Sequence, residues 1–83
     1  MKQIKFIKIA SLEEFLFYIK KGSLFIFDTG VKNKTTYIVL GNFQKRGDLI
    51  SLKLFVCGNG RNPKIMIGFI SSDNVKFCRI LKN

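Results

Sequence analysis

The sequence predicts a small α+β domain in which one helix packs on one face of an antiparallel β-sheet. Its 83 residues are enough for a single domain, residues 1–83, and for no more. One segment near the N-terminus has its apolar residues at helical spacing. The other apolar residues fall into short runs separated by Gly, Asp, Asn and Ser, which is typical of strands joined by turns.

The predicted order of elements is β-α-β-β-β-β-β. Residues 2–9 mix β-branched and aromatic residues with Lys, which favours a first strand. Ser11 and Glu14 then have the spacing of a helix capping box, and Gly22 suits the left-handed position after a helix end, so a helix is predicted over residues 12–21. Its buried stripe is expected to consist of Leu12, Phe15, Leu16 and Ile19.

Five more strands are predicted after the helix. They span residues 24–27, 35–43, 49–57, 64–71 and 75–81. Consecutive strands joined by short turns predict an antiparallel meander, either as an open curved sheet or as a partly closed barrel. The helix is expected to cover one face of this sheet.

The expected turns also assign residues to the two faces of the sheet. A turn over residues 44–48 and a loop over residues 58–63 set the register of the long strands. This register places Tyr37 and Phe55 side by side on the face away from the helix, where they are either exposed or covered by closure of a barrel. The expected core face contains Ile38, Leu40, Leu52, Leu54, Ile67 and Phe69.

The sequence contains no apolar run long enough to cross a membrane. Lys5 and Lys8 interrupt the apolar residues at the N-terminus, which argues against a secretory signal, so we expect a cytoplasmic protein. Cys57 and Cys78 lie on predicted strands without His or further Cys to complete a zinc site. They are expected to be free, mostly buried thiols, although a disulfide is open to them if their strands are neighbours.

Residues for catalysis are scarce. The chain has no His, which is the usual acid–base group at neutral pH. Glu13 and Glu14 suit the first turn of the helix, and Asp28, Asp48 and Asp73 occupy turn positions where Asp bonds to nearby backbone. We therefore expect no enzymatic activity, no cofactor and no metal site.

The charge of the chain predicts an anionic partner. Fifteen Lys and Arg residues face five Asp and Glu residues, a net charge of +10. A small basic domain without a catalytic set points first to nucleic acid. RNA is favoured over duplex DNA, because the only predicted helix begins with two acids and packs on the core, which leaves no helix to read a major groove.

The concrete function predicted is that of an accessory ribosomal protein that binds rRNA, as one component of a ribonucleoprotein. Two alternatives stay open. One is a module that binds single-stranded DNA. The other is a small viral or plasmid-type interaction module that binds an acidic or nucleic-acid-handling protein.

Candidate contacts with nucleic acid come from basic loops and from one sheet face. In a meander, alternate loops share one end of the sheet. The loop that carries Lys32 and Lys34 and the loop that carries Arg61 and Lys64 are therefore expected to meet at one end. The other end is expected to collect Lys20, Lys21, Lys45 and Arg46. An aromatic pair beside a cation can stack bases while the cation holds phosphate. The predicted binding residues are Lys32, Lys34, Arg61, Lys64, Lys53, Tyr37, Phe55, Lys45 and Arg46.

Overall fold

The computed structural model describes residues 5–30, 35–58 and 61–82, without the side chains of Asn42, Arg61 and Lys82. These residues form a small, mostly β domain with one helix, so the predicted α+β class fits loosely. In the described ranges, no helix is long and apolar enough to cross a membrane. The elements are β1 (Lys5–Lys8), α1 (Leu12–Tyr18), β2 (Leu24–Phe27), β3 (Thr36–Arg46), β4 (Leu49–Gly58), β5 (Arg61–Ser71), a 3₁₀ helix (Val75–Phe77) and β6 (Cys78–Lys82).

Six strands form one antiparallel sheet in the order β1-β6-β2-β3-β4-β5. Strands β2 to β5 form the predicted meander. The prediction is wrong for β6, which lies between β1 and β2 instead of beside β5. Cys78 and Ile80 on β6 are buried, and a central position covers such a strand on both sides. The sheet is not closed, because β1 and β5 are its two edges.

A bend in β3 lets the sheet curve around the core. The β3–β4 register shifts on both sides of Gly41, whose φ of +120° lies in a region that favours glycine. Such bulges bend a strand and increase its twist. The curvature brings the β3–β4 turn to the start of α1, since Lys45 and Asp48 line a surface groove together with Ser11 and Glu13.

The helix begins as predicted and ends early. The Ser11 hydroxyl accepts a hydrogen bond from the Glu14 amide at 3.2 Å, which confirms the predicted cap. The helix ends at Tyr18 and not at residue 21. The Lys20 amide donates to the Ser23 hydroxyl at 3.0 Å, and the Ser23 amide donates to the Lys20 carbonyl at 2.9 Å. These bonds close a separate turn, which takes the place of the last predicted helical turn.

The core lies between α1 and the concave face of the sheet. Leu52 and Leu54 are buried as predicted, and the Phe15 and Phe25 rings meet edge to face at 5.7 Å, joining the helix to β2. The buried apolar residues of the described chain are Ile9, Leu12, Phe15, Ile19, Phe25, Val39, Ile50, Leu52, Leu54, Ile70, Val75, Cys78 and Ile80.

The β3–β4 register differs from the expected one because the turn is shorter. Residues 47 and 48 alone form the turn, and Arg46 pairs with Leu49 across it. Val39 therefore faces Leu54 and takes the core position expected for Ile38 and Leu40, which are only half-buried.

The β4–β5 register is displaced by one residue. Val56 pairs with Lys64, whereas the sequence-based register paired Cys57 with Lys64. A one-residue displacement moves every side chain of a strand to the other face. Ile67 and Phe69, which were predicted to be core, are therefore exposed, and Ile70 is buried.

Both cysteines are free, as predicted. Cys57 on β4 and Cys78 on β6 are not on neighbouring strands, so no bridge joins them. Cys78 is fully buried, and its burial raises the pKa of the thiol from 9.0 to about 12, against a smaller lowering by the Arg79 charge. Cys57 is half-buried.

Candidate nucleic-acid interface

The two basic loops of the sequence prediction fall largely outside the described chain. Lys32 and Lys34 lie outside the described residues, and so does the side chain of Arg61. Lys64 is exposed at the start of β5, where it lines a shallow groove with Thr35. Thr35 directly follows the loop of residues 31–34, so the meeting of the two loops at this end stays a prediction.

The predicted pair of Tyr37 and Phe55 does not form. Tyr37 pairs with Val56, and its ring packs toward the core, stacked on Phe25 at 5.2 Å between centroids. Phe55 pairs with Ile38 instead. The shorter β3–β4 turn causes this difference, because it changes which residues of the two strands share a face.

Phe55 and Lys53 lie on what we call the outer face, the face of the sheet turned away from α1. They alternate with the buried Leu52 and Leu54 along β4, and successive side chains of a strand point to opposite faces. Both are half-buried, and Lys53 lies across from Ile67 on β5. Lys53 stays on the face away from α1 as predicted, but it lies beside Ile67 and not beside an aromatic pair.

The second predicted group of cations, which consists of Lys20, Lys21, Lys45 and Arg46, is divided among three grooves. Lys45 lines the groove at the start of α1, and Arg46 lines a groove on the outer face with Leu49 and Phe69. Lys20 and Lys21 line neither of these. The bend of the sheet separates the β3–β4 turn from the end of the helix, which a flat meander would have kept together.

Lys20 and Lys21 belong to what we call the helix-end groove. This groove is lined by Ile7 and Leu81 from the first and last strands and by Tyr18 and the two lysines from the end of α1. Both lysines are exposed. Lys5 precedes Ile7 by two residues on β1, so it lies on the same face of that strand and adds a third cation nearby.

Two exposed aromatic rings stand beside this groove. Phe17 is 80% exposed and Tyr18 is 40% exposed, and their rings meet edge to face at 5.0 Å. A ring this exposed contributes little to the core, and its face is free to stack on a base, while lysines nearby hold phosphates. Lys20 and Lys21 follow in the chain after the buried Ile19.

Sequence reasoning missed Phe17 and Tyr18 as site residues. The signal was present, because the predicted buried stripe of the helix includes neither residue. Two aromatic residues that lie outside the buried stripe and precede two lysines are typical of a candidate binding surface.

The carboxylates lie away from the helix-end groove. Glu13 and Glu14 are in the first turn of α1, at the other end of the helix. Asp28 accepts from the Gly30 amide at 3.4 Å, and Asp48 accepts from the Ser72 hydroxyl at 2.7 Å. Within the part of the chain that the structure describes, no three His, Cys, Asp or Glu residues are grouped to hold a metal ion.

Comparison of the chain with protein-family models, with curated proteins and with solved structures found no match.

Proposed function

We propose that this protein binds nucleic acid, with RNA as its target. The net charge of +10 supplies long-range attraction to a polyanion. Of the described Lys side chains, all but Lys53 are exposed. The observation that carries the proposal is the helix-end groove, whose lining includes the exposed Lys20, Lys21 and Tyr18. The exposed Phe17 ring lies next to this lining, in edge-to-face contact with Tyr18.

Each part of this groove has a separate role in the proposed binding. Phe17 and Tyr18 stack on bases, an interaction that tolerates any sequence because every base has a π-face. Lys20 and Lys21 hold the phosphates on either side of a stacked base. Affinity therefore comes from stacking and charge together, and base identity is read weakly.

Unpaired RNA suits this surface better than duplex DNA. The seven residues of α1 begin with two acids and bury Leu12 and Phe15, so the helix is not available to a major groove. Bases in single strands and loops are free to stack on protein side chains. We propose rRNA as the concrete target, with the protein as an accessory component of the ribosome, and two free thiols fit the reducing cytoplasm.

Further cations extend the proposed contact beyond the groove. Lys64 is exposed on β5, and the sequence predicts that Lys32, Lys34 and Arg61 add further phosphate contacts. Lys45, Arg46 and Lys53 contribute through their charge.

Replacement of Phe17 tests the stacking role. Phe17→Ala should weaken binding to a single-stranded RNA by about 5- to 150-fold, which corresponds to about 1–3 kcal/mol for one stacked base. Its melting temperature should change little, because the ring is mostly in solvent. Phe6→Ala is the control, since Phe6 is an exposed Phe on β1 that does not line the groove and has no ring contact with Tyr18, whereas Phe17 contacts Tyr18.

Equal losses in both variants, or no loss in Phe17→Ala, would move the site away from the helix-end groove. The same titration with DNA of identical sequence distinguishes RNA from single-stranded DNA as the preferred target. Ultraviolet absorbance of the protein purified without nuclease gives an independent check, because a binder of this charge should carry nucleic acid. Protein that is free of nucleic acid and binds none would instead favour an acidic protein partner.

A further inference from the structure

Strand β5 is an edge of the sheet, and its second part, residues 65–71, lacks the usual protection against pairing that Pro63 and Lys64 give to its first part. Its 11 residues have β4 on one side only. Residues 65–71 contain no charged residue and no Pro, whereas natural edge strands are blunted by charge, Pro or shortness. The opposite edge, β1, has four residues and carries a Lys at each end. The two edges therefore differ, and among the described strands residues 65–71 of β5 form the longer uncharged edge segment.

The outer face of this edge is apolar. Ile65 is 61% exposed, Ile67 is 53% exposed and Phe69 is 56% exposed. They alternate along β5 and lie on one face, next to the exposed Leu49 of β4. A contiguous apolar surface beside unpaired backbone groups is typical of an interaction site.

Charges flank residues 65–71 with opposite sign at the two ends. The exposed Lys64 comes just before them. Asp73 follows them, and Asp48 is held at the same end by its hydrogen bond to the Ser72 hydroxyl. Two of the five acids in the chain thus lie at the end of β5. A strand that is basic at its start and acidic at its end is complementary to an antiparallel copy of itself.

We propose that β5 pairs antiparallel with β5 of a second copy, around a two-fold axis at Gly68. In this register Ile67 of each copy faces Phe69 of the other, and Lys64 of each copy faces the turn of residues 72–74 of the other. The outer faces of the two copies then lie on the same side of the joined sheet, which agrees with a two-fold axis perpendicular to it. The pairing extends the two sheets into one and places two helix-end grooves on a single particle.

The size of this contact predicts a reversible dimer. Pairing of seven residues with their outer side chains buries about 1,000 Å² in total, the lower limit for a specific interface. The charge of +10 on each copy opposes association. That repulsion is reduced at about 0.15 M salt, where screening acts over about 8 Å. No charge lies within the paired segment itself.

Sedimentation of nucleic-acid-free protein, from about 1 μM to about 1 mM, tests the dimer. The wild type should pass from monomer to dimer over this range, and Ile67→Lys should remain monomeric. Phe17→Lys, which adds the same charge at a more exposed apolar position on α1, should dimerise as the wild type does. Amide hydrogen exchange in residues 65–71 should become slower as the concentration of the wild type rises. It should not depend on concentration in Ile67→Lys. A wild type that is monomeric throughout, or a dimer that survives Ile67→Lys, overturns the proposal.

A charge exchange tests the antiparallel register. Lys64→Asp should weaken dimerisation at least tenfold, because it places a carboxylate close to Asp48 and Asp73 of the other copy. Adding Asp73→Lys to this variant should restore most of the affinity. A double variant that is no better than Lys64→Asp overturns the register. Since nucleic acid is absent, these results are independent of the proposed RNA binding.

Discussion

Gly68 on β5 offers a sharp test of how the core is packed. It pairs with Leu52 of β4, and a Cβ added at this position would overlap the Cδ1 atom of Leu54. The φ angle of Gly68 is not in the left-handed region, so Ala can adopt the backbone conformation. The stability of Gly68→Ala therefore depends on whether the buried Leu54 side chain can move away from the added Cβ atom.

Two effects of opposite sign decide the result. Replacement of Gly by Ala within a strand stabilises by about 0.5–1 kcal/mol, through the smaller entropy of the unfolded chain. Overlap with a packed core side chain costs about 1–3 kcal/mol. Leu54 is buried in the core beside its cross-strand partner Val39, which is also buried, so we expect the overlap to dominate. We expect a net destabilisation of about 1–2 kcal/mol.

Urea unfolding followed by circular dichroism measures this effect. Leu54→Ala alone should cost about 2–4 kcal/mol. In the double variant, the added methyl group of residue 68 enters the space left by the shortened side chain, so the cost should be at least about 1 kcal/mol below the sum of the single costs. Additive costs, or a Gly68→Ala variant more stable than the wild type, would refute the packing described for this pair.

Two further predictions concern the helix cap and the buried thiol. Ser11→Ala removes the acceptor of the Glu14 amide and should lower stability by about 1 kcal/mol, and an unchanged thermal melt would contradict that role. The raised pKa of Cys78 means that the folded state keeps the thiol neutral, so its contribution is complete below pH 9.0 and is lost toward about pH 12. The loss is about 1.4 kcal/mol per pH unit. Cys78→Ala should lack this part of the alkaline loss, and an unchanged pH profile would contradict the assignment.

The local features of the fold could be predicted from the sequence. Ser11 and Glu14 carry enough information to place the start of α1, because a cap depends on three neighbouring residues. Leu52 and Leu54 alternate with polar residues in β4, so their burial follows from the period of a strand. These predictions needed no knowledge of how strands are arranged.

Features that depend on distant parts of the chain could not be predicted in the same way. The tight turn at Gly47, with φ of +60°, competes with a longer turn that has equally suitable residues, and the difference displaces the register. The position of β6 between β1 and β2 joins parts of the chain that are far apart in the sequence, and strand patterns do not reveal it. The tight turn and the register shifts on both sides of Gly41 together explain why Tyr37 and Phe55 do not pair.

The candidate site was only partly accessible to sequence reasoning. The proposed class of partner rests on the net charge, which can be calculated from the sequence because it is independent of the fold. The grouping of cations was wrong for Lys45 and Arg46, since the bend moves the β3–β4 turn away from Lys20 and Lys21. Phe17 lies outside the predicted buried stripe of the helix, so the sequence already contained a signal for it as a candidate residue, and the structure shows that its ring is exposed.

The salt dependence of RNA binding tests the central claim most directly. Binding of a single-stranded RNA, measured by fluorescence anisotropy, should weaken linearly on a plot of log Kd against log salt. Replacing Lys20 and Lys21 with Gln should reduce that slope by about 2, at about one per lysine that contacts phosphate. The control pair Lys8→Gln and Lys76→Gln removes the same charge from exposed lysines outside the groove and should change the slope less. Equal slopes in the two double variants would contradict phosphate binding in the helix-end groove, and affinity that does not respond to salt would contradict binding to nucleic acid.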